Sequence, residues 1–375
     1  MAALFHDGQP SWKCLRPGPP GASGEAVTRV LSAQTALPDN YVDQETLLAA
    51  FREHWGKKHF NLERLEQLHR AVRVGGRHLA LPLEEYSALE SFAARNAAWT
   101  RAATLVGERA VRSALLAADL APAQVDHLFF VTVTGIATPS IDARLVEPLG
   151  LRDSVKRVPI FGLGCVAGAA GISRAHDVLR AAPGEIAVLL AVELCSLTLQ
   201  REDLSIPNII ASGLFGDGAA AVVLEGGARG RGPRIVATRS IFYPGTERVM
   251  GWDIVDSGFK VVLSPAVPQL VRERLRGDVD AFLAEQGLSR AGIRHFICHP
   301  GGPKVLEAVE EALELPSRAL QRSWDSLQTA GNLSSASVLF VLADLLASGE
   351  PQPGDYGLLS AMGPGFCSEL VLLQW

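Results

Sequence analysis

Phe161-Gly-Leu-Gly-Cys-Val-Ala-Gly-Ala-Ala170 and Gln328-Thr-Ala-Gly-Asn-Leu-Ser-Ser-Ala-Ser337 are one device written twice. In each, a glycine precedes a single polar residue, and a run of small residues continues as a helix. Cys165 thus falls opposite Asn332. Working outward, the spacing of about 168 residues persists in the same order. Leu120-Ala-Pro-Ala-Gln-Val-Asp-His-Leu-Phe-Phe130 follows an amphipathic segment over 97–119. Leu288-Ser-Arg-Ala-Gly-Ile-Arg-His-Phe-Ile-Cys298 follows a similar one over 267–287. The strand-like runs Glu185-Ile-Ala-Val-Leu-Leu-Ala-Val192 and Asp355-Tyr-Gly-Leu-Leu-Ser-Ala-Met362 come next. Gly218-Ala-Ala-Ala-Val-Val-Leu224 and Ser368-Glu-Leu-Val-Leu-Leu373 close each half. Near-continuous apolar strands alternating with helices imply an α/β fold with sheets buried on both faces. The small residues behind Cys165 and Asn332 allow close helix packing and belong in the core.

This duplication divides the chain into an N-terminal half, 1–230, and a C-terminal half, 231–375. Glu225-Gly-Gly-Ala-Arg-Gly-Arg-Gly232 reads as a surface linker between them. Residues 1–95 carry no repeat and read as a helical region, with helices near 43–56 and 61–73. The 375 residues are 48% hydrophobic and 20% charged with a net charge of −5, which fits a packed globular protein. There is no dense Lys/Arg tract to suit nucleic acid or an anionic membrane. No apolar run reaches the roughly 18 residues of a membrane span, and no secretory signal pattern opens the chain. Five cysteines without CxxC spacing suit a reduced, cytoplasmic protein and give structural zinc no support.

A cysteine in the first turn of a buried helix faces free backbone N–H groups and the positive end of the helix dipole, both of which favour thiolate. Gly162 and Gly164 permit the sharp turn that presents it. His299 ends the apolar strand Phe296-Ile297-Cys298 and enters the loop Pro300-Gly-Gly-Pro303. There it can pair with a thiolate or donate to a developing oxyanion. Asn332 offers a neutral amide donor, and Asn is equally a preferred helix N-cap. His127 and His295 read as structural. A thiol with two donors and no neighbouring acid suits acyl transfer and enolate stabilisation better than hydrolysis.

Six stretches then carry a family likeness: Gly164-Cys165, Leu214-Phe-Gly-Asp-Gly-Ala-Ala-Ala221, Met250-Gly-Trp-Asp253, Cys298-His-Pro-Gly-Gly-Pro303, Gly331-Asn-Leu-Ser-Ser-Ala-Ser337 and Gly363-Pro-Gly-Phe366. Together they resemble the type III polyketide synthases, the chalcone-synthase-like enzymes, over roughly residues 25–375. The resemblance implies a homodimer of five-layered αβαβα thiolase-like fold with internally duplicated halves. It implies malonyl-CoA and acyl-CoA as substrates, with no metal and no bound cofactor. Cys165 would accept the starter acyl group, while His299 and Asn332 stabilise the enolate left when malonyl-CoA loses CO₂. Phe215 matches a gatekeeping aromatic, and its partner should fall near Val261 or Phe259. Further substrate contacts are expected at Thr134, Cys195, Gly301, Gly302 and Gly365. Arg64, Arg70, Arg73, Arg77 and Lys304 are candidates for the CoA phosphates. The plant GFGPG loop is Ala361-Met-Gly-Pro-Gly365 here. Thr134-Gly-Ile-Ala-Thr-Pro-Ser-Ile-Asp142 and Glu193-Leu-Cys-Ser196 resemble bacterial members, several of which extend long acyl chains. That likeness implies an alkylpyrone or alkylresorcinol synthase with a medium-to-long acyl-CoA starter. A single-condensation β-ketoacyl-ACP synthase III and a catalytically silent thiolase-fold partner are the rival readings.

Overall fold

The computed structural model describes residues 27–55, 61–227 and 231–375. Cys14 and residues 228–230 of the expected linker lie outside them. The first half runs β1 (Thr28–Ala36), β2 (Asn40–Asp43), α1 (Gln44–Trp55), α2 (Leu62–Ala71), β3 (Gly76–Leu79), α3 (Phe92–Ala117), β4 (His127–Thr132), α4 (Ile141–Leu149), β5 (Lys156–Phe161), α5 (Ala167–Ala181), β6 (Ile186–Leu194), α6 (Ile206–Leu214) and β7 (Asp217–Gly226). The second runs β8 (Arg234–Phe242), β9 (Met250–Val255), β10 (Gly258–Leu263), α7 (Val267–Glu285), β11 (Ile293–Cys298), α8 (Pro303–Leu313), α9 (Gln321–Ala330), α10 (Ser337–Ser348), β12 (Tyr356–Gly363) and β13 (Cys367–Gln374).

Nine strands are ordered β11-β12-β13-β8-β1-β7-β6-β4-β5. The order is nearly palindromic about the β8–β1 junction, so β4, β6, β7 and β1 correspond to β11, β12, β13 and β8. Pairing obeys the same symmetry: β4–β6 and β11–β12 are parallel, while β6–β7 and β12–β13 are antiparallel. Only the β5 edge lacks a counterpart. The two halves of the sheet meet through a short contact, Thr28 opposite Ile235 and Arg29 opposite Arg234.

Five layers follow from which faces are apolar. Helices α5 and α10 pack against strands of both halves and against each other. Their core joins Phe129, Val131 and Leu189 to Ile297, Leu359 and Val371. Helices α3 and α4 cover the outer face of the first half-sheet, and α7 to α9 cover the second. The small residues read from the sequence make the middle layer possible. A side-chain carbon added at Gly168 would lie 2.2 Å from the Ser335 carbonyl oxygen.

His127 pairs with Glu185, and His295 binds Asp355 at 3.1 Å; these equivalent pairs pin corresponding strand ends. Both histidines are structural, as their positions suggested. The helical reading of residues 1–95 needs correction, however. Helices α1 and α2 are present, but β1 is a sheet strand between β7 and β8. With neighbours on both sides, Thr28 and Val30 are fully buried. Its fit is physical: β-branched and small apolar side chains suit a position between two strands.

Candidate active site

Between β5 and α5 the chain makes a single 3₁₀ turn, Gly164–Val166, which places Cys165 at the head of the central helix. Gly164 has φ +57°, and a side-chain carbon there would meet the Pro364 ring at 2.7 Å, so the turn demands glycine twice over. The matching turn, Ser334–Ala336, leads into α10. Gly331 precedes it at φ +75°, where an added side-chain carbon would lie 2.7 Å from the Leu214 carbonyl oxygen. Asn332 N–H donates to Leu214 O at 2.9 Å, and Gly216 N–H donates to Asn332 O at 3.0 Å. These bonds clamp Asn332 beside Phe215.

The Asn332 side chain both accepts and donates hydrogen bonds. Its Oδ1 accepts from Ser334 N–H at 2.8 Å, capping the turn. Its Nδ2 donates to Gly301 O at 3.2 Å. An amide carries two donor hydrogens, so one remains for the cavity. His299 is held by its backbone, N–H donating to Ser360 O at 2.9 Å. Both of its ring nitrogens are buried, and neither has a hydrogen-bond partner among the described residues. Buried polar atoms are almost always satisfied, so both ring nitrogens remain available to a group that enters the cavity.

Cys165, His299 and Asn332 all line one cavity of about 70 Å³, with Ser334, Gly301 and Val133. The Cys165 thiol donates to Ser334 Oγ at 3.7 Å, and Ser334 is held at φ +47°. Such backbone is uncommon outside glycine and concentrates at functional sites. Burial pushes the Cys165 thiol up to about 12, against the pull of the Ser334 and Asn332 side chains. Burial also pushes the His299 imidazole down to about 4. Desolvation therefore opposes the helix terminus and favours a neutral thiol beside a neutral imidazole. A neutral imidazole still donates from one nitrogen. With the Asn332 amide it makes a two-donor cradle for a thioester oxygen that becomes an enolate.

A second, larger chamber of about 200 Å³ adjoins this cavity, and Phe215, Trp252 and Val261 line both. Val261 pairs with Trp252 across β9–β10, and the Trp252 and Phe215 rings lie 6.4 Å apart. Of the two positions left open for the second gatekeeper, Val261 reaches the wall. Phe259 is buried against Phe92, ring centroids 5.4 Å apart, and lines neither space.

Residues 21–228 match the family model described as chalcone and stilbene synthases, N-terminal domain, and residues 234–375 match its C-terminal counterpart. The chain belongs to the type III polyketide synthases. A 1,3,6,8-tetrahydroxynaphthalene synthase of Streptomyces peucetius subsp. caesius is 51% identical, covering 93% of each chain. A putative chalcone synthase of Bacillus subtilis is 37% identical over 92% of this chain and 98% of its own. Among solved structures, the 1,3,6,8-tetrahydroxynaphthalene synthase of Streptomyces coelicolor superposes with TM-score 0.88 at 32% identity, covering 92% of this chain and 99% of that one. This synthase is therefore a decarboxylating condensing acyltransferase of thiolase-like fold, from a family that uses malonyl-CoA and acyl-CoA. The single-condensation alternative is not favoured.

The expected substrate contacts divide between those on a cavity wall and those off it. Cys195 lines the larger chamber, in keeping with its expected place on a cavity wall. Thr134 lines neither space; its hydroxyl donates to Glu193 at 2.9 Å and accepts from Trp99 and Leu194 N–H groups. Its neighbour Val133 lines the Cys165 cavity instead. Gly301 lines it too, whereas Gly302 and Gly365 stand behind the lining, which takes Pro364 and Phe366 from that loop.

Arg77 does not face solvent phosphates. It is 1% exposed and donates to Ser212 O and Phe215 O at 3.0 Å, to Gly213 O at 2.6 Å and to Gln44. It thus caps the end of α6 and positions Phe215. Arg73 is paired with Glu307 at 3.2 Å and stacked on Trp324, and Arg70 is paired with Glu45 and Glu66. Arg64 and Lys304 are exposed. Sequence reasoning missed Trp252 and Ser334 as site residues, although both fall inside quoted motifs. Among the described residues no His/Cys/Asp/Glu group could hold a metal ion, and no helix is long and apolar enough to cross a membrane.

Proposed function

We propose that this synthase assembles a polyhydroxylated aromatic from malonyl-CoA alone, with 1,3,6,8-tetrahydroxynaphthalene as the expected product. The convergence of Cys165, His299 and Asn332 on one small cavity carries the condensation chemistry. The product is supported by the relative at 51% identity that bears this name. Oxygens on alternate carbons are the mark that head-to-tail two-carbon units leave.

The steps follow from the donors present. The Cys165 thiol gives its proton to His299, and the sulfur attacks a thioester carbonyl; the CoA thiol leaves with that proton. Malonyl-CoA then places its thioester oxygen against the His299 N–H and the second Asn332 Nδ2 hydrogen. The bond to the carboxylate breaks, CO₂ departs, and the electron pair enters the enolate they stabilise. The enolate carbon attacks the Cys165 thioester, the C–S bond breaks, and the β-ketoacyl chain leaves on CoA for another round.

The apolar lining of the larger chamber, including Leu47, Phe51, Trp55, Leu83 and Leu89, favours a second reading. In it a medium-to-long acyl-CoA is the starter, and an alkylpyrone or alkylresorcinol the product. Mass spectrometry of products from malonyl-CoA alone and with a panel of acyl-CoA starters tests both. A dominant naphthalene from malonyl-CoA supports the first; products that form only with acyl starters would overturn it.

The remaining assignments belong to the same proposal. Phe215, Val261, Cys195 and Gly301 are the proposed substrate contacts, and exposed Arg64 and Lys304 the proposed CoA-phosphate contacts. A homodimer through the unpaired β5 edge is supported by Phe161 and Ile136, 52% and 46% exposed. The division at 1–230 and 231–375 separates the half bearing Cys165 from the half bearing His299 and Asn332. Cytoplasmic location is supported by four free cysteines among the described residues.

A further inference from the structure

Among the polar residues that line the larger chamber, Tyr86 and Ser196 are hydrogen-bonded neighbours that lead to a buried acid. Tyr86 Oη lies 2.6 Å from Ser196 Oγ. Ser196 Oγ in turn donates to Asp217 Oδ2, and Ser196 N–H donates to Asp217 Oδ1 at 2.8 Å. Ala80 N–H donates to Asp217 Oδ2 at 2.6 Å. Asp217 is completely buried. Because the serine proton points to the carboxylate, the tyrosine proton must point to the serine. Both hydroxyl protons therefore run inward, from the chamber wall to a sealed acid that the condensation does not use. Burial raises that carboxyl to about 6, with the hydrogen bonds from Ser196 and Ala80, and then Arg77, pulling the other way, so it is a stronger base than an ordinary aspartate.

We propose that Tyr86, Ser196 and Asp217 form a proton relay that drives carbon–carbon ring closure of the finished poly-β-ketone in the larger chamber. This rests on the reading of the chain as an aromatic-forming synthase. A methylene between two ketones gives its proton to Tyr86 Oη. The Tyr86 proton passes to Ser196 and the Ser196 proton to Asp217, and the C–H electron pair becomes an enolate. The enolate carbon bonds to a ketone carbon further along the chain, and that carbonyl's π pair moves to oxygen. The alkoxide then takes the proton back along the same path, returning Asp217 to carboxylate. Loss of water from the resulting hydroxy ketone gives the aromatic ring. No oxidant, reductant or further reactant is needed. Without the relay, the chain closes through an enol oxygen on the thioester and leaves as a lactone.

Tyr86→Phe and Ser196→Ala keep the wall's shape and remove one relay hydroxyl each. Products of the full-length enzyme are quantified as the ratio of carbon-closed aromatic to lactone, beside CO₂ release from malonyl-CoA. General acid–base catalysis is worth 10²–10⁴-fold, so each variant should lower the ratio by roughly 10²-fold while CO₂ release stays within about twofold. An unchanged ratio in either variant overturns the relay, and so does a CO₂ release that falls in step with the ratio. A wild-type enzyme that forms resorcinols only with acyl starters refutes the naphthalene product, yet its ratio still tests the relay. A wild-type enzyme that forms lactones from every starter overturns both.

Discussion

Gly168, just after the first active-site turn, and Ser335, within the second, occupy matching places in the repeat and make opposite kinds of contact. At Gly168 backbone meets backbone, against the Ser335 carbonyl. At Ser335 the hydroxyl reaches across the middle layer and donates to Glu193 Oε1 at 2.5 Å. The strands repeat the contrast. Glu193 on β6 corresponds to Gly363 on β12, where an added side-chain carbon would lie 2.7 Å from Val166 N. One turn is thus tied to the opposite half by a buried carboxylate, and the other by bare backbone. Duplication supplied the frame, but it did not supply equal electrostatics. Glu193 adds its charge to the burial that raises the Cys165 thiol, while Asn332 carries no charge to perturb.

Exchanging the defining side chain of each turn should produce the largest effects, and different ones. Cys165→Ala should remove covalent acylation, seen by intact mass, and cut product formation on the order of 10³-fold or more. Asn332→Ala should slow malonyl decarboxylation by about 10²–10³-fold while Cys165 still acylates; loss of acylation in a folded variant would reverse the roles given to the two turns. The carboxylate comes next. Burial lifts Glu193 from 4.5 to about 7, so the folded state holds that proton to higher pH than the unfolded chain does. Stability is then greatest below pH 4.5 and declines as pH rises toward 7. Glu193→Gln lacks this decline and should gain on wild type by up to roughly 3 kcal/mol between pH 5 and 8 in urea denaturation. A gap equal at both pH values would show the carboxylate to be ordinary. Smallest is Gly168→Ala, which forces a methyl against the Ser335 carbonyl and should cost about 1–3 kcal/mol. A neutral result would mean that the backbone contact between the helices is looser than its glycine implies.

The second-half elements were readable because each repeats a first-half pattern of strand, turn and small-residue helix. Cys165 and Asn332 were legible for the same reason. His299 was not, since the strand register places Val131 opposite it, and only its motif singled it out. Strand β1 is hard to read because it stands apart from the strand-turn-helix pattern that marks the repeat. Its signal was present nonetheless: Arg29-Val-Leu-Ser-Ala-Gln-Thr35 parallels Arg234-Ile-Val-Ala-Thr-Arg-Ser240 of β8, its partner in the symmetry. Arg77 deceived for a different reason. A sequence shows charge but not burial, and only the folded chain brings the α6 carbonyls to that guanidinium. The shared wall was beyond reach as well, because Trp252 and Phe215 meet through a tertiary contact with no local periodicity.

The middle layer has one last consequence. Cys165 and Asn332 head two helices that pack against each other in the middle layer, so the reacting groups keep one arrangement from the first round to the last. Whatever tells the enzyme to stop must therefore be external to that arrangement. The growing chain is what changes between rounds, and the space beyond Phe215, Trp252 and Val261 is where its length is felt. Fidelity of bond formation and choice of product size are then separable properties, free to diverge in evolution by substitutions in different parts of the same protein.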